Sequence, residues 1–172
     1  MVVVTSPISA WCLMRGQLAF LKRAGFDVLL VASPHALLEK TGHREGIRTI
    51  AVEMPREPSP WKDIKAILKL NGVIRDESPD ILHYSTPKAG LLASLCGWYR
   101  GVPTRIYTLR GLRADGFSGA KAWLMRRLER IPLSLSHKNI CVSQSLRERA
   151  IKLGLAKPDR MTVLCPQSSN GV

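Results

Sequence analysis

Acidic residues are scarce in this chain. Thirteen Asp and Glu stand against 26 Lys and Arg in 172 residues, a net charge of +13. That balance favours an anionic partner: a phosphorylated substrate, an acidic lipid or a nucleic acid. Aromatics are also few, at 6%, and no Phe or Tyr pairs are spaced along a strand. A base-stacking platform is therefore not expected, and the basic residues are scattered rather than gathered in one run, so nucleic acid is an unlikely partner. Cysteines number four, at 12, 96, 141 and 165, with no Cys-x-x-Cys. They read as reduced core residues of a cytosolic protein, not as a disulfide frame or zinc site. No apolar run reaches the length of a membrane span. No basic stretch precedes the opening Val2-Val3-Val4, so no secretory signal is expected.

Several chemistries lack their motif. Ser6-Pro7-Ile8-Ser9-Ala10 follows the first apolar run, where a dinucleotide fold needs Gly-x-Gly-x-x-Gly, and Ser33-Pro34 stands where an acid is needed after the second. There is no Walker loop and no Gly-x-Ser-x-Gly elbow. The four histidines show no metal-ligand spacing, and His35, His43 and His137 read as solvated.

What is present is alternation. Apolar or β-branched runs at Val2–Thr5, Asp27–Ala32, Ile47–Val52, Asp80–His83, Thr104–Leu109, Asn139–Val142 and Met161–Cys165 read as seven strands. Helical patterns lie between them: Leu13–Ala24 ending at Gly25, Pro34–Arg44, a segment opened by Ser59-Pro60, one from Leu91, Ala120–Ile131, and Ser145–Leu153. In the third, Trp61, Ile64, Ile67, Leu68 and Ile74 are expected to line one face. In Ala120–Ile131, Leu124, Leu128 and Ile131 are expected to face the core, with Pro132 kinking or ending the helix. Ser145 and Glu148 fit a capping box, although Ser143 could cap instead. The pattern predicts an α/β, Rossmann-like, doubly wound parallel sheet of about seven strands, one domain over 1–172.

The segment His83-Tyr84-Ser85-Thr86-Pro87-Lys88-Ala89-Gly90 carries the most chemistry. It runs from a buried strand's carboxyl end into a helix's amino end, where open α/β sheets bind ligands and where unpaired N–H groups suit phosphate. Other polar residues also follow strand ends: Ser6, Ser9 and then Arg15-Gly16; Arg110-Gly111 and Arg113; Ser143, Ser145 and Arg147; Ser168, Ser169 and Asn170. In a parallel sheet these loops share one edge, so they predict a cleft for a polar, phosphorylated ligand. His83, ending a strand there, is the candidate catalytic residue, able as a neutral imidazole to accept a proton or bind a sugar hydroxyl. Trp123 beside Arg127 and Arg130, with Lys121 and Arg126 near, is a pattern met at membrane surfaces.

These residues carry a resemblance. Arg15-Gly16-Gln17, Glu57-Pro58-Ser59-Pro60 with Lys62-Asp63, Pro79-Asp80-Ile81-Leu82-His83, Thr86-Pro87-Lys88-Ala89-Gly90, Arg105–Leu109, Gly111-Leu112, Cys141-Val142-Ser143 with Ser145-Leu146-Arg147, and Ser168–Val172 occur in this order. In that combination the chain resembles the amino-terminal half of GT-B-fold glycosyltransferases of family 4, notably bacterial enzymes of capsule, lipopolysaccharide and lipid-linked glycan assembly. The resemblance implies an acceptor-binding domain, its acceptor often a sugar on a polyprenyl diphosphate at the inner membrane face. A second domain, absent from this sequence, holds the nucleotide-sugar co-substrate, usually UDP-linked. It implies transfer with retention and no required metal or other cofactor, and a chain inactive alone. The substrate-binding candidates are Arg15, Gly16, Thr86, Lys88, Gly90, Arg110, Gly111, Ser143 and Asn170. Arg110 departs from the family pattern, because a guanidinium is a poor base and better suited to gripping a phosphate or carboxylate. A non-catalytic binding or regulatory subunit using the same cleft is the other reading.

Overall fold

Near-continuous apolar strands can be satisfied only if both sheet faces are covered. The computed structural model, which describes residues 1–164 apart from Arg56 and Pro58, has this arrangement. Seven parallel strands form one sheet in the order β3-β2-β1-β4-β5-β6-β7. They are β1 (Val2–Val3), β2 (Leu29–Ala32), β3 (Arg48–Ala51), β4 (Ile81–Ser85), β5 (Thr104–Leu109), β6 (Lys138–Cys141) and β7 (Met161–Val163). The sheet is wound outward from β1 and β4 in two directions, so β1/β4 is the topological switch point.

Alternate side chains of the strands serve two cores. Val2, Val4, Leu30 and Ala32 pack with Ala10, Met14, Leu18 and Leu38, beneath α1 (Pro7–Leu13), α2 (Gln17–Arg23) and α3 (Ala36–Glu45). Val3, Val31, Leu82, Tyr84, Tyr107 and Leu109 pack on the other face, under α4 (Pro60–Glu77), α5 (Pro87–Tyr99), α6 (Gly119–Leu135) and α7 (Gln144–Lys152). α5 lies between α4 and α6 and is held close to the sheet. A Cβ on Gly90 would come within 2.8 Å of the Tyr107 ring, and one on Gly97 within 2.6 Å of Leu82.

Several expectations are corrected. The helix expected over Leu13–Ala24 is two helices. It begins earlier, at Pro7, and breaks where Gly16 takes φ +76°. Glu45, at the end of α3, then accepts N–H bonds from Gly16 (3.1 Å) and Ala19 (3.1 Å), capping α2 from outside. On α4 the buried face is Ala66, Leu70 and Ile74, whereas Trp61, Ile64 and Leu68 are exposed. The five residues expected on one face are therefore divided, with Ile74 in the core, Ile67 packed against it, and the other three turned outward. On α6 the buried residues are Ala122, Glu129, Pro132 and Leu133, and Leu124 is exposed. That helix continues through Pro132 to Leu135, because the proline sacrifices one backbone bond near the end of the helix, where few remain to be made. Ser143, not Ser145, caps α7, accepting from the Leu146 N–H at 3.2 Å. Cys12 is exposed rather than buried; Cys96 and Cys141 are in the core. Cys165, the expected end of β7, lies outside the described residues.

Candidate functional site

The carboxyl ends of β1, β2 and β4 open into a cleft of about 720 Å³. Its walls are hydroxyl-rich: Thr5, Ser6 and Ser9 after β1, Ser33 and His35 after β2, Glu53 after β3, and Thr86 and Lys88 after β4, with Arg113 reaching in from beyond β5. The switch point at its base is tied by side chains. Thr5 Oγ1 and Thr86 Oγ1 are 2.9 Å apart, the Thr5 N–H donates to Thr86 Oγ1 (3.2 Å), and the Ala89 N–H donates to Thr5 Oγ1 (3.1 Å). Thr5 thus caps α5 from a neighbouring strand, a role that Thr86 cannot take because its own side chain makes no cap bond. Thr86 holds φ +79°, a conformation costly for a β-branched residue. Such a conformation persists only where surrounding contacts enforce it, and it is concentrated at functional sites.

Two cations line the cleft and differ in their surroundings. Lys88 Nζ donates to Asp63 Oδ1 (2.7 Å) and to the Glu57 carbonyl (2.6 Å), so its charge is largely offset. The Arg113 guanidinium makes no hydrogen bond or ion pair among the described residues. Its loop, the 3-10 turn Arg113–Gly116, is held by Glu129 Oε1, which accepts the N–H of Arg113 and that of Ala114 (3.3 Å). Past Lys88 and Arg113 the cleft meets a smaller channel of about 130 Å³ between α5 and α6, walled by Leu91, Tyr107, Met125, Leu128 and Pro132. Glu129 borders it with Oε2 buried and unpartnered. Burial pushes this carboxyl up, against the two N–H donors that favour its ionised form.

Of the substrate-binding candidates the cleft brings together Thr86 and Lys88, and of the other polar residues expected after strand ends it includes Ser6, Ser9 and Arg113. Arg15 and Gly16 are not among its lining residues; Gly16 abuts Glu45 where α3 ends. Gly90 is buried against Tyr107 in α5, where its lack of a side chain serves helix–sheet packing. The Ser143 hydroxyl is engaged as a helix cap. Gly111 is exposed beyond β5. Asn170 lies outside the described residues.

His83 does not end its strand. It is the third of five residues in β4, and it borders a separate cavity of about 440 Å³ with Met1, Asp80 and Ile106. Nε2 lies 2.7 Å from Thr108 Oγ1. Burial first, then the Arg110 guanidinium and the amino-terminal ammonium, pushes its pKa down to about 4. The imidazole is therefore neutral at pH 7. Arg110 itself is half-buried at the end of β5, near enough to act on His83, and burial lowers its own pKa.

Sequence reasoning placed Arg113 with the polar residues of the cleft edge but not among the substrate-binding candidates, and read His35 as solvated. His35 is exposed as expected, and it also caps α3, Nδ1 accepting the Leu37 N–H at 3.1 Å, and lines the cleft. Its place directly after Ser33-Pro34 at a strand end was the available signal. Among the described residues no three His, Cys, Asp or Glu gather to hold a metal ion, and no helix is long and apolar enough to cross a membrane.

Comparisons with known proteins agree with the fold. The capsular polysaccharide biosynthesis glycosyltransferase CapM of Staphylococcus aureus is 34% identical over 160 residues, covering 93% of this chain and 41% of that protein. A UDP-Gal:alpha-D-GlcNAc-diphosphoundecaprenol alpha-1,3-galactosyltransferase of Escherichia coli is 26% identical over 110 residues, 63% of this chain and 28% of that one. The chain thus spans less than half the length of these relatives. In fold it is similar to the UDP-GlcNAc 2-epimerase of Neisseria meningitidis bound to UDP-GlcNAc (TM-score 0.69, 17% identity, 94% of this chain and 44% of that one). It is also similar to Anabaena HepE in complex with UDP and glucose (TM-score 0.68, 13% identity, 94% and 42%). The profile of the glycosyl transferase 4-like domain matches residues 14–167, and the chain belongs to that family.

Proposed function

We propose that this chain is the acceptor-binding half of a retaining glycosyltransferase that builds a surface polysaccharide or lipid-linked glycan. The observation that carries the reading is the cleft at the β1/β4 switch point, hydroxyl-lined and entered by an Arg113 guanidinium that makes no direct ion pair among the described residues, Glu129 being its nearby carboxylate. Hydroxyls suit a sugar, and a guanidinium suits a phosphate or an acidic sugar bidentately. The similarity to the diphosphoundecaprenol galactosyltransferase supports a polyprenyl-diphosphate-linked acceptor, and that to CapM a surface polysaccharide as the product. The nucleotide sugar, UDP-linked by the same analogy, is a co-substrate for a second domain supplied in cis or trans.

In this reading Thr86, Lys88 and Arg113 hold the acceptor. Glu129 positions Arg113 by gripping its backbone. His83 acts as a positioning residue through Thr108 and Arg110 rather than touching the acceptor in the cleft.

The test is a chimera with the donor half of a CapM-type relative, assayed for sugar transfer to a diphosphate-linked acceptor. The chimera is expected to transfer and the isolated chain to turn over no UDP-sugar. Turnover by the isolated chain refutes the half-enzyme reading. A chimera that folds and binds donor but transfers to no acceptor leaves the binding-subunit reading in its place.

A further inference from the structure

Two buried side-chain atoms lack a hydrogen-bond partner among the described residues, Asn139 Oδ1 and Glu129 Oε2. Of the two, Glu129 borders the channel between α5 and α6, although the residue is only 6% exposed. Its other oxygen, Oε1, already accepts the N–H groups of Arg113 and Ala114, and that is all the turn needs to be anchored. Oε2 is therefore surplus to the fold. An acceptor oxygen shut away from water costs free energy until something donates to it, so its persistence calls for a donor from outside the chain.

The channel is an offshoot of the cleft, since Pro87, Lys88 and Arg113 line both. At about 130 Å³ against about 720 Å³, it suits a substituent of a cleft-bound ligand rather than the ligand's body. Leu91, Tyr107, Met125, Leu128 and Pro132 make its walls apolar, so a few polar groups at the border fix what enters. Asp63 is taken by Lys88 at 2.7 Å. Lys88 Nζ spends two of its three N–H groups, on Asp63 and the Glu57 carbonyl, and has a third to give. Glu129 Oε2 supplies the acceptor.

These surroundings ask for three things in one small group: an N–H for Oε2, an oxygen for the Lys88 N–H, and an apolar end for the walls. A hydroxyl meets the polar groups and leaves the walls unfilled. A methyl group fills the walls and leaves Oε2 as it was. A carboxylate is repelled by Glu129. An ammonium pairs with Glu129 but carries further N–H groups into walls that accept none. A methyl-bearing amide has all three.

We propose that the α5–α6 channel is an acetamido pocket and that the acceptor sugar is an N-acetylated amino sugar. Its amide N–H donates to Glu129 Oε2, its carbonyl accepts from Lys88, and its methyl group lies among Leu91, Met125 and Leu128. This rests on the acceptor-binding reading above and names the class of sugar that the cleft takes. Glu129 then has two duties. One oxygen anchors the turn that carries Arg113, and the other reads the substituent on the acceptor.

The test is calorimetric titration of the full chain with three probes: N-acetylglucosamine 1-phosphate, glucose 1-phosphate and glucosamine 1-phosphate. The first is expected to bind about tenfold or more tighter than the second, the order expected of one hydrogen bond to a charged group plus a buried methyl. Glu129→Gln still offers one oxygen to the Arg113 and Ala114 N–H groups but turns an NH2 toward the channel. Its melting curve should stay in place and the preference should fall to near unity. Leu128→Phe fills the channel from its wall and should lower the same preference without altering Glu129, which keeps the test sound if Glu129→Gln unfolds. Equal affinity for the N-acetyl and hydroxyl probes overturns the pocket and keeps the cleft. Tighter binding of the amino sugar also overturns it, by making Oε2 the partner of an ammonium. A preference that survives both variants puts the acetamido group elsewhere and overturns it as well. One lost in Leu128→Phe but kept in Glu129→Gln overturns the role given to Oε2. Binding of none of the probes takes the acceptor reading down with the pocket.

Discussion

Thr5 and Thr86 clasp each other across the β1–β4 boundary, hydroxyl to hydroxyl at 2.9 Å, at the point where the sheet changes winding direction. The contact links the two strand ends that bound the cleft. It also frees Thr5 Oγ1 to accept the Ala89 N–H and cap α5.

Thr5→Val keeps the side-chain volume and removes the hydroxyl. It leaves the Ala89 N–H buried without an acceptor and removes the hydroxyl contact to Thr86, which keeps only the Thr5 N–H. The expected cost is about 1–3 kcal/mol in urea unfolding, from one lost cap and one orphaned donor. Thr5→Ser should recover most of it. Equal stability of the Val and Ser variants would mean the hydroxyl is not what joins the strands.

Gly90 separates packing from ligand binding. Adding a methyl group 2.8 Å from Tyr107 must push either α5 or the ring, and overpacking of this kind costs about 1–3 kcal/mol. Gly90→Ala should therefore lower the melting temperature, and pairing it with Tyr107→Leu should restore part of the loss. A destabilised single variant rescued by the second change identifies a packing glycine. An unchanged melting curve would return Gly90 to the list of ligand contacts.

The parallel direction of the strands and the cleft's edge were readable because β-α alternation fixes which loops share an edge, whatever the side chains do. Thr86 and Lys88 follow from that rule alone. Arg15 escaped it because the chain makes a whole helix, α1, between β1 and Arg15, carrying the residue away from the edge. His83 escaped it by two residues: β4 extends to Ser85, so the strand ends later than the apolar run Ile81-Leu82 suggests. The α4 stripe misled because periodicity reveals a face without saying what covers it. Trp61, Ile64 and Leu68 repeat as a core stripe does, yet small Ala66 lets the opposite side of the helix approach the sheet. Glu129 gave no local signal, since its role depends on a turn more than ten residues away in sequence.

Lys88 and Arg113 should part company on substitution. Removing Lys88 strands Asp63, whose carboxylate is only partly exposed, so Lys88→Ala is expected to cost about 1 kcal/mol of stability as well as acceptor use. Arg113→Ala breaks no side-chain bond and should stay within about 0.5 kcal/mol of the parent. In the chimera it should nonetheless raise the KM for a diphosphate-linked acceptor about tenfold, the order expected of one charge-assisted contact. Unfolding curves and acceptor titrations on both variants decide it. Unchanged KM in Arg113→Ala removes that residue from the site.

His83 sets a pH dependence whose sign follows from its surroundings. Its pKa falls from 6.5 to about 4 on folding, because burial and the neighbouring Arg110 disfavour the imidazolium. The unfolded chain therefore takes up a proton near 6.5 that the folded chain refuses until about pH 4. The stabilisation is complete above 6.5 and drains away as pH falls through that window, at a limiting slope of about 1.4 kcal/mol per pH unit. His83→Gln keeps a polar group opposite Thr108 but cannot titrate there. The difference in unfolding free energy between parent and variant should accordingly shrink steadily as pH falls from 7 to 4, because the carboxylates common to both cancel. A difference that stays flat across that range would show that the ring titrates freely, and that burial and Arg110 do not hold it neutral.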